Sequence, residues 1–180
     1  ETVIETGQTL LNVNFDAETT GSKPSDWSAD QAGGTVAVQE TPSAADKSLA
    51  LSDTSTSGRI TAHKTLSADA LGETIVEFGM MAGQTNAVHG FSLRDAGGTM
   101  AVTVAFDSNG YIYTYNGSTK TNVQPYSAGT WYAVKIVADP STDLFDLYID
   151  GVLKQSAKSF RNSVASIHDV FLNSSTADTG

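Results

Sequence analysis

The segment "WYAVKIVADPSTDLFDLYIDGVL", Trp131–Leu153, alternates apolar and polar residues with a period of two, which no helix satisfies. In Trp131–Ala138, Tyr132, Val134, Ile136 and Ala138 oppose Trp131, Ala133, Lys135 and Val137, and the charge on Lys135 assigns the first set to a core. The return run places Phe145, Leu147 and Ile149 opposite Leu144, Asp146, Tyr148 and Asp150, and the carboxylates again mark the outer face. Asp150-Gly151 suits a tight turn with positive φ, so Val152–Gln155 pairs back. This is a meander with one buried and one solvated face.

The pattern recurs. Strand-like runs bounded by turn residues are Leu10–Phe15, Gly34–Gln39, Lys47–Ser52, Arg59–Leu66, Thr74–Ala82, Val88–Arg94, Met100–Phe106, Tyr111–Tyr115 and Ser166–Leu172, besides the three already named. Gly33-Gly34, Asp95–Gly98, Ser108–Gly110 and Asn116-Gly117 punctuate them. The helical candidate is a turn at Ser67–Leu71, with Ser67 as its cap. A dozen short strands with almost no helix predict an all-β, two-sheet antiparallel β-sandwich of jelly-roll type.

Length predicts a single domain over 1–180. A net charge of -10 repels a nucleic-acid backbone, so DNA and RNA are set aside as partners. The absence of cysteine excludes disulfides, cysteine-ligated metals and cysteine nucleophiles. No apolar run approaches the roughly 20 residues of a membrane-spanning helix, so no membrane partner is expected. A first residue of Glu1 reads as an excised domain or a processed chain. An acidic, cysteine-free β domain rich in Thr, Ser and Gly suits a secreted, extracellular protein, although a cytosolic one could look the same.

The strongest functional feature is "GYIYTYNG", Gly110–Gly117. Tyr111, Tyr113 and Tyr115 share one face at intervals of about 7 Å, and sugar C–H faces pack on such rings. Tyrosine is also a good strand former, so a purely structural row stands beside that reading. In "TMAVTVAF" the set Met100, Val102, Val104 and Phe106 belongs to the core, which leaves Thr99, Ala101, Thr103 and Ala105 to floor a shallow groove. Arg59 and His63 share one strand face, as do Ser92 and Arg94; if these coincide with the tyrosine face, an anionic, uronate-containing glycan fits. A neutral glycan fits nearly as well. Trp27, Trp131 and Tyr126 are expected at core edges or in loops, where an exposed ring can stack on sugar.

"WYAVKIVAD" followed by "FDLYIDGVL", together with "NFDAETTGSKPSDW", "GGTVAV" and "DKSLALSD", resembles concanavalin A-like and laminin-G-like jelly-roll modules attached to secreted bacterial polysaccharide-degrading enzymes. The resemblance implies two curved sheets, polysaccharide or oligosaccharide binding, and a catalytic domain in a larger parent protein. It also implies a structural calcium ion, for which Asn14, Asp16, Glu18 and Asp46 offer hard oxygens; those residues equally make turns. Such modules end in a further closing strand, whereas "FLNSSTADTG" stops. The sandwich is therefore expected to lack its last strand, which was cut away, comes by strand donation from another chain at an open edge, or is replaced by cover from Glu1–Gln8.

No catalytic residue is assigned. A retaining glucanase needs two carboxylates about 5 Å apart on one strand face. "DLFDLYID" offers only Asp146 and Asp150 beside Tyr148, an arrangement usual on a solvated hairpin. A lyase needs a His or Tyr base with Arg or Gln neutralising the uronate, and no strand carries that motif. His63, His89 and His168 are too scattered for zinc. The expected function is a non-catalytic carbohydrate-binding module that targets a secreted enzyme to its glycan. A lyase or hydrolase, and a structural or adhesive sandwich, are the alternatives.

Overall fold

A computed structural model of the chain describes residues 8–174. Its strands are β1 (Ser28–Asp30), β2 (Gly34–Ser43), β3 (Asp46–Asp53), β4 (Thr61–Ala70), β5 (Thr74–Met80), β6 (His89–Arg94), β7 (Met100–Phe106), β8 (Tyr111–Asn116), β9 (Thr119–Pro125), β10 (Tyr132–Asp139), β11 (Leu144–Ile149), β12 (Val152–Ser159) and β13 (Ile167–Ser174). Antiparallel pairing gives a seven-stranded sheet in the order β1-β4-β13-β6-β7-β8-β9, a four-stranded sheet β12-β11-β10-β5, and a β2-β3 hairpin. No helix occurs among the described residues. The protein is an all-β antiparallel sandwich.

Period-two patterning decides what the two larger sheets bury. Leu93, Val102, Val104 and Ile112 from the seven-stranded sheet join one core with Val134, Ile136, Leu147 and Ile149 from the four-stranded sheet, each at most 2% exposed. Phe78 stacks on Phe91 with ring centroids 3.9 Å apart, and Phe106 meets Tyr132 at 6.2 Å, so aromatic pairs bridge the layers. Each such pair adds about 0.5–1.5 kcal/mol beyond the area it buries. Thr114 Oγ1 donates to Gln155 Oε1 at 3.0 Å, a satisfied polar pin between β8 and β12. Its burial puts Ile112 and Thr114 inside and turns the three tyrosines of β8 to the outer face.

The meander forms as its alternation requires. Lys135 lies opposite Glu77 and Tyr148 on the outer side of the four-stranded sheet. Asp150 and Gly151 adopt φ of 53° and 75°, the double positive-φ turn that lets β12 fold back on β11. Gly34 serves a different need: a Cβ there would lie 2.1 Å from the Ser52 carbonyl oxygen, so the β2-β3 hairpin closes only around a bare backbone.

The structure departs from the sequence expectations in several places. Leu10–Phe15 joins no ladder; its Leu10 carbonyl accepts the Ser67 N–H at 2.9 Å, and Phe15 packs against Trp27 at 5.9 Å. Ser67–Leu71 is not helical, because β4 runs on through Ala70 and pairs there with Ile167. β9, "TKTNVQP", has too little apolar alternation to read as a strand, yet it pairs along β8 as an edge. Met100 leaves the core: a bulge between Leu93 and Arg94 shifts the register, and its sulfur lies within 4.0 Å of the Thr103 hydroxyl.

A further departure is the length of the last described strand. Phe171–Ser174 are ladder residues, not a tail: β13 pairs with β4 on one side and β6 on the other. The Ser174 hydroxyl accepts the Ile60 N–H at 2.9 Å and donates to the buried Asp53 carboxylate. β13 is the expected Ser166–Leu172 run carried on to Ser174 in the middle of the seven-stranded sheet, whose edges are β1 and β9; residues 175–180, where a further strand would follow, lie outside the described residues. Glu1–Gly7, most of the segment expected to cover an edge, lies outside the described residues.

Candidate functional site

The outer face of the seven-stranded sheet collects most of the residues singled out for ligand contact. Tyr111, Tyr113 and Tyr115 project from β8. Across the sheet, one rung runs His63, Phe171, Ser92, Thr103 in register, and the next strand beyond Thr103 is β8. Four strand spacings separate β4 from β8, a width of about 19 Å. Between the rows β6 and β7 present small side chains, Gly90, Ser92, Thr103 and Ala105, with the Ser92 and Thr103 hydroxyls 3.0 Å apart, while Phe171 of β13 stands beside them.

The tyrosines do not form an open row. Tyr113 and Tyr115 meet edge to face, centroids 5.8 Å apart at 77°. Tyr113 is only 8% exposed, and the Lys120 ammonium sits 4.2 Å from its ring centre. Burial, followed by the neighbouring Tyr115, pushes the Tyr113 hydroxyl up to about 12. Tyr111 at 37% exposure and half-buried Tyr115 hold the ring surface that a ligand can reach.

Two cations missed in the sequence shape this corner. Lys120 arrives because the Asn116-Gly117 turn pairs Tyr115 with Lys120; counting across that turn would have found it. Its ammonium also bonds the Asp107 carboxylate. Burial works to raise the Asp107 carboxyl, but Lys120 and the Asn109 amide outweigh it and hold the group below the ordinary carboxylate range.

Arg161 comes from the connection after β12, where no periodicity announces it. β7 and β8 pair only over Val104–Phe106 and Ile112–Thr114, and beyond that they part. The connection enters the gap: Arg161 N–H donates to the Ala101 carbonyl at 2.7 Å, and the Ser159 N–H to Asn116 Oδ1 at 3.0 Å. Phe160 turns into the core, while the Arg161 guanidinium emerges over the Tyr115 ring, 4.1 Å from its centre. Among the described residues Arg161 has no carboxylate partner.

Arg94 differs. Its Nε and Nη2 bond both oxygens of Asp169, at 2.8 and 2.6 Å, and its guanidinium lies 3.9 Å from the Phe171 ring centre. The fork expected to meet a ligand is thus already engaged by the protein. His63 is half-buried beside Phe171, and Arg59, just before β4, is exposed without an ion pair among the described residues. Tyr126 is 6% exposed and donates to the Asp107 carbonyl at 3.0 Å, so it is a core-edge residue and offers no open ring.

The residues named for calcium sit in another corner. Asn14 Oδ1 accepts the Asp16 N–H at 2.7 Å, Asp16 Oδ1 accepts the Lys47 N–H at 2.9 Å, and the Lys47 ammonium donates to the Glu18 carbonyl at 2.8 Å. Asp46 is exposed at the start of β3. No group of three or more His, Cys, Asp or Glu placed to hold a metal ion occurs among the described residues. On the opposite sheet Asp146 and Asp150 accept the N–H groups of Ala157 at 2.7 Å and Ala133 at 2.9 Å.

A family model described as "Sialidase-like, CBM domain" matches residues 45–179. The chain belongs to this carbohydrate-binding module family. The module's fold is similar to part of a solved sialidase, with a TM-score of 0.76 at 17% identity over 94% of this chain. That alignment spans only 15% of the sialidase's length. Similarity extends to the carbohydrate-binding module CBM66 from Bacillus subtilis, with a TM-score of 0.51 and 16% identity over 82% of this chain and 86% of that one. The carbohydrate recognition domain of Emp46p aligns with a TM-score of 0.50 and 8% identity over 95% and 89%. At such low identities these similarities show the fold alone, a concanavalin A-like jelly roll. Comparison by sequence with curated proteins returned no match.

Proposed function

We propose that this module binds a carboxylated glycan on the outer face of its seven-stranded sheet and holds a larger secreted enzyme on that polymer. The observation that carries the reading is Arg161: a guanidinium laid on Tyr115, with no carboxylate partner among the described residues, in a chain of net charge -10. A guanidinium fork pairs with a carboxylate through two parallel bonds, and ring stacking fixes its direction before the ligand arrives. Tyr115 and Tyr111 supply aromatic surface for the sugar ring, with Thr103 and Ser92 as neighbouring hydroxyls. At the same end the Lys120 ammonium is matched by the Asp107 carboxylate, and His63 lies on the far side of the trough, with Arg59 just before the same strand.

Uronate polymers and sialylated glycans both present such a carboxylate, and the likeness to part of a sialidase places sialylated glycans in the test panel. Affinity gel electrophoresis against polygalacturonate, alginate, hyaluronan and a sialylated polymer tests the reading. Retardation by at least one, lost in both Arg161→Ala and Tyr115→Ala, is expected. Retardation by none, or unchanged in both variants, overturns it.

A structural calcium ion remains a separate proposal for the N-terminal corner. Asn14, Asp16, Glu18 and Asp46 would supply the oxygens, and the Lys47 ammonium would leave the Glu18 carbonyl.

A further inference from the structure

We propose a second glycan site on the opposite side of the module, a trough on the outer face of the four-stranded sheet that takes a neutral polysaccharide. The trough is shallow and open to solvent, measures about 610 Å³ and is lined by Glu77, Gly79, Ala133, Lys135, Tyr148 and Gly151. That volume lies in the range of ligand clefts, roughly 300–1,000 Å³. Register explains why it exists: Gly79 and Ala133 are cross-strand partners, so two adjacent strands lack bulky side chains at the same rung.

Both flanks are aromatic. The six-membered ring of the Trp131 indole sits 3.3 Å from where a Gly79 Cβ would begin, and the exposed indole leans over this floor. Tyr148 lies opposite Lys135, four residues along from Trp131 and one strand across, which sets the backbones of the two aromatic residues about 14 Å apart by ladder geometry. Between them Lys135 and Glu77, 3.8 Å apart and both solvent-accessible, present donors and acceptors at the height of the rings. Flat aromatic surface beside paired polar groups matches the alternating C–H faces and hydroxyls of a sugar chain.

Charge selects the ligand class. This sheet carries Glu77, Asp146 and Asp150 against Lys135 and the exposed Lys154, a near-even balance that gives a carboxylated polymer no net attraction, whereas the tyrosine face carries Arg161, which has no carboxylate partner among the described residues. The two faces therefore sort glycans by charge, and a module holding both engages two polymers at once.

The test is affinity gel electrophoresis against xylan, mixed-linkage β-glucan, galactan and arabinan, with melting temperatures recorded for each variant. Ala133 is exposed on a strand, so Ala133→Gln fills the trough without disturbing the core. At least one neutral polymer is expected to retard the protein, with the association constant falling at least tenfold in Ala133→Gln and in Tyr148→Ala at unchanged melting temperature. Arg161→Ala, which disables the opposite face, leaves that retardation in place. Retardation undiminished by both trough variants, or abolished by Arg161→Ala, overturns the proposal. So does retardation by none of the four polymers, which would leave this face to a protein neighbour. Loss of acidic-glycan binding alone bears on the tyrosine face and not on this one.

Discussion

Asp169→Asn is the substitution whose cost follows most directly from the structure. Asp169 is 5% exposed and receives two bonds from Arg94, whose guanidinium is flanked by Phe171. Neutralising the carboxylate strands a partly buried guanidinium, and breaking such a pair costs about 3–5 kcal/mol. Arg94 retains some solvent contact, 14% of its side chain, which argues for the lower end, about 3 kcal/mol. For a chain of this size that lowers the melting temperature by roughly 6–12 °C. Arg94→Met/Asp169→Leu removes both charges and restores most of the loss, because well-packed apolar replacements of buried pairs are often neutral. Urea unfolding followed by tryptophan fluorescence measures all variants, with the slope checked for constancy. A loss below about 1 kcal/mol for Asp169→Asn, or a double variant as unstable as the single, would refute the claim that Arg94 is a structural clasp.

Other consequences are open to measurement. Tyr113 should stay protonated in a spectrophotometric titration until pH nears 12. Because its folded value lies above the ordinary value of 10, its stabilising contribution is complete below pH 10 and declines as pH rises towards 12; Tyr113→Phe should flatten that decline. Asp107 has the opposite sign: its depressed carboxyl stabilises the fold above pH 3.8 and ceases to do so as pH falls through its folded value, so Asp107→Asn should reduce acid sensitivity. The calcium proposal requires melting to shift upward with millimolar calcium and back with chelator, and Asp16→Ala to remove the shift. An identical transition under both conditions rejects it.

What the sequence made legible depended on period two. Trp131–Ile149 and Met100–Phe106 announce their strands because apolar and polar residues alternate over buried and solvated faces. The outward direction of the β8 tyrosines was readable for the same reason. β9 was hidden because an edge strand that packs little more than Val123 against the core has no apolar alternation to display. Arg161 was hidden because its position depends on a split between two strands, a long-range event that "SFRNS" does not encode locally. Arg94 was visible as a cation, but its partner Asp169 is 75 residues away, so an internal clasp looked like a free hand. Met100 was misassigned by one bulge, which reverses the face of every residue beyond it.

The central claim is that Arg161 on Tyr115 reads a carboxylate. Its most direct test is calorimetric titration of the module with an acidic oligosaccharide and with the same oligosaccharide after carboxyl reduction. The account predicts that reduction weakens binding about 10- to 100-fold, the worth of one charge-assisted fork at roughly 1.5–3 kcal/mol, and that Arg161→Ala abolishes the difference. Equal affinity for both ligands, or a preference that survives in Arg161→Ala, would contradict it.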